Sequence, residues 1–298
     1  MTFRLKTCLL AAIVIAVFGS SVYADSESDD SGAFVRIRRS EDKEPIALET
    51  AIVRFAPADE QNRGVVVDLI GAIHVADKAY YDKLNARFRR YDAVLYELVA
   101  REDANVPQPG RAPGSAVGGL QVGMKSLLEL DYQLDCVDYS RKNMVHADMS
   151  PEEFAQTMKS RNETWLGTFF RIMGRGFAEQ AKDPTGSSDW QLLAAFFAED
   201  RAYRLKLALA EQFADLEDQM SMFDGPEGST IVTERNKKAL QVLRRELEGD
   251  KKKIAIFYGA GHLADLQRRL EKDFGMKRAE TEWLSAWSLV RKETGEKE

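Results

Sequence analysis

Three histidines occur in 298 residues, and two of them lie in nearly the same heptad. Gly71-Ala72-Ile73-His74-Val75-Ala76-Asp77 and Gly259-Ala260-Gly261-His262-Leu263-Ala264-Asp265 agree at five of seven positions. Each follows an apolar run, Val65 to Ile70 in the first copy and Ile254 to Tyr258 in the second. Such a run is the pattern of a strand covered on both faces. Ligands of open α/β sheets bind outside the carboxyl ends of such strands. Both histidines are therefore expected just past a strand end, where neutral imidazole can serve as a metal ligand. The preceding glycine lets the backbone turn tightly and approach a neighbour closely.

A carboxylate and a guanidinium join them. Ala93 to Leu98 is another buried-strand pattern and delivers Glu97 at its end. Two histidines and a carboxylate, with positions left for water, form a catalytic-metal donor set. Arg235 has Ile231, Val232, Ala239 and Val242 at helical spacing, so it lies on an apolar stripe with Asn236 at its edge. A charge pointing into a core must be paired or serve a site. Arg235 is placed to bind a carboxylate or stabilise a developing oxyanion. Glu97 is equally readable as a structural partner of Arg235. His146, in Asn143-Met144-Val145-His146-Ala147-Asp148, is either a further site residue or a loop histidine. A lone strand-end histidine is usually a satisfied core residue. The same Gly and His in both copies favour two halves of one ligand-binding crevice instead.

These residues need a scaffold. Gly64 to Ile70, the first heptad, a helix marked by Tyr80, Tyr81, Leu84, Phe88 and Tyr91, and the strand Ala93 to Leu98 read as a βαβ crossover with a parallel pair. Asp77 is the expected helix cap. Strands are also expected at Phe34 to Arg38, at Ala51 to Phe55 and around Cys136 in Leu134 to Asp138. Residues 102–115 read as a loop. Residues 150–249 read as mainly helical, opened by Ser150-Pro151-Glu152-Glu153 and again by Ser188-Asp189-Trp190-Gln191. The second heptad leads into a helix marked by Leu263, Leu266, Leu270 and Phe274, and residues 277–291 into one or two strands. The expected fold is α/β, a duplicated βαβ-type unit forming a central mixed sheet flanked by helices. A helical insertion separates the halves, and residues 45–298 form a single domain.

The start of the chain addresses the compartment. Arg4 and Lys6, the apolar core Leu9 to Phe18 and the small residues ending at Ala24 read as a signal peptide over residues 1–24. Residues 25–44 are set before the domain as a leader, its acidic stretch 25–33 reading as mobile. The product is then exported, periplasmic or secreted, with no transmembrane domain after cleavage. The apolar core falls short of the roughly 20 residues of a membrane span, although an uncleaved anchor is the alternative. A net charge of −6 and a pI near 5.4 argue against a nucleic-acid partner. Cys136 is the only cysteine beyond the leader and is expected in the core.

Gly71-Ala72-Ile73-His74, Glu97 in Tyr-Glu-Leu-Val, Glu234-Arg235-Asn236 and Gly259-Ala260-Gly261-His262 together resemble the TraB/PrgY–TIKI family. GumN-type proteins and, more distantly, erythromycin esterases are similar. The resemblance runs from about residue 45 to about residue 275 and implies an α/β fold built from a duplicated unit. It implies a metal-dependent protease with Mn or Co as the divalent metal, Zn being possible. By that resemblance His74 and His262 are metal ligands, Glu97 is a ligand or general base, and Arg235 contacts substrate or steadies the site. The resulting expectation is an exported hydrolase acting on a peptide or small molecule through a metal-activated water. The alternative is a non-catalytic protein that sequesters a peptide or haem in the same crevice.

Overall fold

The computed structural model describes residues 33–59, 64–101, 128–164, 198, 200–223 and 228–291. The expected signal peptide, the loop 102–115 and the helix start at Ser188 lie outside these residues. Strands β1 (Val35–Arg39), β2 (Pro45–Pro57) and β3 (Val66–Ala72) come first, then β4 (Val75–Ala76), helix α1 (Lys78–Phe88) and β5 (Ala93–Tyr96). After them come β6 (Asp131–Tyr132), α2 (Gln133–Cys136), β7 (Met144–His146), α3 (Pro151–Ser160) and α4 (Arg201–Phe223). The chain continues with α5 (Arg235–Glu248), β8 (Lys253–Gly259), α6 (Leu263–Phe274) and β9 (Met276–Ser288).

The sheet is mixed. β3, β8, β5 and β7 are parallel neighbours in that order, β2 joins β3 antiparallel, and β1 and β9 join β2 antiparallel. The expected parallel pair β3–β5 is thus split by β8, which pairs with both. Residues 254–258 of β8 are all buried, so its place between two parallel neighbours suits an apolar strand. One face packs Ile70, Ala72, Phe257 and Val94 against Tyr80, Tyr81, Leu84 and Phe88 of α1. The other packs Leu69, Ile256 and Leu95 against Ala239 and Leu243 of α5 and Leu263, Leu266 and Leu270 of α6.

The two heptads therefore begin side by side, with Ala72 in register with Gly259, and then part. The first stays extended through β4, which pairs with β6, before α1 starts. The second turns at once into the 3₁₀ turn Ala260–His262 and enters α6 on the opposite face. Ile73 stands where the second copy has Gly261; a β-branched residue favours extension and glycine permits the turn. After α6, Gly275 takes a left-handed conformation (φ 61°) and β9 returns antiparallel to β2 as one strand. The halves share strand, heptad and helix, but only the first is followed by a parallel return strand.

Local expectations fared differently. The Ser150 capping box is formed, with Ser150 Oγ accepting from the Glu153 N–H at 3.1 Å and the Glu153 carboxylate from the Ser150 N–H at 2.8 Å. Asp77 takes the cap position of α1 without a capping bond; its carboxylate accepts instead from Lys206 Nζ at 3.0 Å and the Ser288 N–H at 2.5 Å. The strand expected over Leu134 to Asp138 is instead the helical turn α2. The β4–β6 ladder ends at Tyr132, and the Gln133 N–H bonds the His74 carbonyl, which turns the chain away from extension. Cys136 is consequently half-buried. Among the described residues, no helix is long and apolar enough to cross a membrane.

Phe257 is 1% exposed and packs against Phe88, the two rings tilted by 60° with centres 5.0 Å apart. Phe257→Ala is expected to cost about 3–5 kcal/mol in urea unfolding. A loss no larger than that of a surface substitution would remove β8 from the centre of the core.

Candidate functional site

Each parallel strand releases one polar group at its carboxyl end. Glu97 follows β5, Asp148 lies just beyond β7, and His74 and His262 lie beyond β3 and β8. Arg235 opens α5, directly after a π-helical turn at Thr230–Glu234 whose start is capped by Ser229 Oγ accepting from the Val232 N–H at 3.1 Å. The apolar stripe of α5 faces the sheet, so its first residue points at the strand ends.

Arg235 is clamped between two carboxylates. Its Nη2 donates to Glu97 Oε1 at 2.7 Å and to Asp148 Oδ2 at 2.5 Å, and its Nε to Asp148 Oδ1 at 2.9 Å. The Gly259 N–H donates to the other Glu97 oxygen at 2.6 Å. A Cβ on residue 259 would lie 3.2 Å from that oxygen and press the carboxylate back by a few tenths of an ångström, so the glycine of the second heptad eases its close approach. Arg235, Glu97 and Asp148 have side chains 6%, 9% and 0% exposed, so the cluster sits away from water. Burial alone would raise the Glu97 pKa. Arg235, both heptad histidines and the Gly259 N–H outweigh it and hold the carboxyl well below the usual range. Burial works against the Arg235 charge, but Glu97 and Asp148 keep it protonated.

His262 is buried, with Nδ1 2.7 Å from Asn236 Oδ1 and Nε2 3.6 Å from Glu97 Oε1. Burial lowers its pKa against the pull of Glu97, which favours the neutral ring. His74 is exposed, with Nδ1 3.1 Å from Gln133 Oε1, and it lies close enough to act electrostatically on Glu97. His146 stands apart from these contacts: its Nε2 donates to the Leu98 carbonyl at 2.6 Å, and its ring lies against Tyr96. It braces the segment that follows Glu97.

The donor chemistry suits a cation. Two carboxylates against one guanidinium leave one buried net negative charge, which a neutral His262 does not offset. The His262 Nε2 to Glu97 Oε1 separation of 3.6 Å is too long for a hydrogen bond. It is close to the roughly 3.4 Å between two tetrahedral ligands each about 2.1 Å from an ion. Among the described residues, no group of three His, Cys, Asp or Glu side chains already has metal-holding geometry. A third ligand, or water, would have to complete the set.

Asp148 and Gln133 carried no functional reading in the sequence. A buried arginine needs a carboxylate, and the sequence offered only Glu97 for that part; β7, which brings Asp148 to the strand ends, carried no strand reading. Nothing local marks Gln133. No family model, curated protein or solved structure matches the chain.

The lowered pKa of His262 makes stability pH-dependent. Below the ordinary histidine value of 6.5 the unfolded chain takes up a proton that the buried ring refuses. Its contribution is full above that value and is lost as pH falls towards and through the folded value. Glu97, ordinarily near 4.5, adds a second loss further into acid. Urea midpoints measured against pH should fall less steeply just below 6.5 for His262→Gln than for the parent. Equal slopes would show that His262 is not held neutral.

Proposed function

We propose that the protein is an exported, metal-dependent hydrolase whose substrate is a peptide. The observation that carries this reading is the His262 Nε2–Glu97 Oε1 pair, two electron-pair donors facing each other beside a buried net negative charge. His262, Glu97 and the exposed His74 would hold a divalent ion, Mn or Co by the resemblance to the TraB/PrgY–TIKI family and Zn by donor type. Such an ion, when bound, supplies Lewis-acid activation of water near neutral pH. Peptide as the substrate class rests on that resemblance, as does a duplicated ancestry of the two heptad units.

The chain's own groups divide the remaining work. Glu97, held far below neutral by Arg235, is a poor match to the pKa of a general base, so its part is that of an anionic ligand. Arg235 spends Nε and Nη2 on Glu97 and Asp148, which orients Glu97 and keeps it ionised. His262 and Arg235 are buried while His74 is exposed, so substrate approaches from the side of the first heptad.

A second reading is ligand capture without turnover, favoured by the absence of a preformed three-ligand set among the described residues. Haem held by either histidine would announce itself by an absorption band lost in His74→Ala or His262→Ala. For the hydrolase, metal content and affinity of the parent are compared with those of the same two variants and Glu97→Gln. Each variant is expected to weaken binding at least about tenfold, as even loss of an outer-shell partner does. A parent chain that binds no transition metal would end the hydrolase reading.

A further inference from the structure

Each heptad histidine is held at Nδ1 by a side-chain amide, and the two amides come from unrelated elements. Asn236 belongs to the first turn of α5 and Gln133 to the start of α2. The orientation of Asn236 follows from its other contacts. Its Nδ2 donates to the His262 carbonyl at 3.1 Å and to Asp265 Oδ2 at 2.9 Å, and neither partner can donate in return. Oδ1 is therefore the atom 2.7 Å from His262 Nδ1, and an amide oxygen only accepts. The ring proton must sit on Nδ1, which leaves Nε2 of the neutral ring as a bare acceptor facing Glu97. Asp265, the last residue of the same heptad, is itself anchored by Arg268 and by Arg269 Nε at 2.6 Å.

Gln133 repeats the arrangement at the other histidine. Its Nε2 donates to the Tyr139 hydroxyl at 2.8 Å, and its Oε1 lies 3.1 Å from His74 Nδ1. Its backbone N–H also donates to the His74 carbonyl at 2.9 Å. Both amides are buried, Gln133 at 4% and Asn236 at 0% exposure, which makes an unsatisfied amide atom costly, and the acceptor-only partners of Asn236 fix its orientation.

We infer that Gln133 and Asn236 are matched positioning residues that lock His74 and His262 as Nδ1–H tautomers and so present both Nε2 atoms to one ligand. The inference deepens the proposed metal site and takes its purpose from it, but the tautomers themselves need no bound ion. Metal-ligating histidines are oriented by a partner on their other ring nitrogen, usually a carboxylate, a carbonyl or water. Here two amides fill that place. His146 provides an internal contrast. Its Nε2 meets the Leu98 carbonyl, which can only accept, so its proton is on Nε2.

The test is long-range proton–nitrogen correlation NMR on the full chain, labelled with ¹⁵N in histidine, freed of metal and held alkaline enough for neutral rings. The expected spectrum shows the Nδ1–H pattern for His74 and His262 and the Nε2–H pattern for His146, assigned with His74→Gln and His146→Gln. Gln133→Leu should lose the Nδ1–H pattern at His74 alone, whereas Gln133→Glu, which keeps an acceptor, should retain it. A parent spectrum with His74 or His262 as the Nε2–H tautomer overturns the inference whether or not any variant folds. Zinc titration of the same sample keeps the two proposals apart. Expected tautomers without a zinc-induced shift of Nε2 support the positioning role and remove the metal site; the wrong tautomers with zinc bound do the reverse.

Discussion

The guanidinium of Arg235, buried between Glu97 and Asp148, is the interaction on which the rest of the site depends. An uncompensated charge at this depth would cost several kcal/mol, so each partner requires the others to be in place. Meeting that requirement joins three parts of the chain far apart in sequence: the end of β5, the end of β7 and the start of α5. The π-helical turn before Arg235 and the Ser229 cap set where α5 begins, and hence where the guanidinium lies. A shift of one residue in that start would turn the arginine off the sheet-facing stripe.

The second heptad completes the cluster from the middle of the sheet. Gly259 offers its N–H to Glu97 and has no Cβ to obstruct it, while His262 sets Nε2 against the same carboxylate. Position in the sheet explains why β8 does this rather than β3. It lies between β3 and β5, so its carboxyl end is adjacent to both His74 and Glu97. The first heptad, one strand further out, keeps its histidine exposed and tied to α2. One buried and one exposed histidine make an asymmetric crevice from two nearly identical heptads.

The heptads also show how little local sequence decides once tertiary pairing competes. Their shared terminal aspartates, Asp77 and Asp265, both end up beside a helix start, yet neither uses its side chain as a cap. Asp77 ties α1 to Lys206 of α4 and to the end of β9, and Asp265 supports Asn236 behind His262. Asp77 thus spends its carboxylate on longer-range partners, and Asp265 on Asn236 together with Arg268 and Arg269 of its own helix.

Much of this was legible beforehand, because apolar runs and helical spacing report burial directly. The strand cores at 66–72, 93–96 and 253–259, the helices carrying Tyr80 to Phe88 and Leu263 to Phe274, and the buried stripe bearing Arg235 and Asn236 all follow from that periodicity. So does the presence of His74, His262 and Glu97 at strand ends. Periodicity says which side chains are buried but not which strands become neighbours. Only the tertiary structure placed β8 between β3 and β5, sent the two heptad helices to opposite faces, and turned the Cys136 segment into a helical turn. Only it paired Arg235 with Asp148 and brought Gln133 to His74, because these contacts join residues separated by 87 and 59 positions. Nothing in their immediate neighbours encodes such contacts.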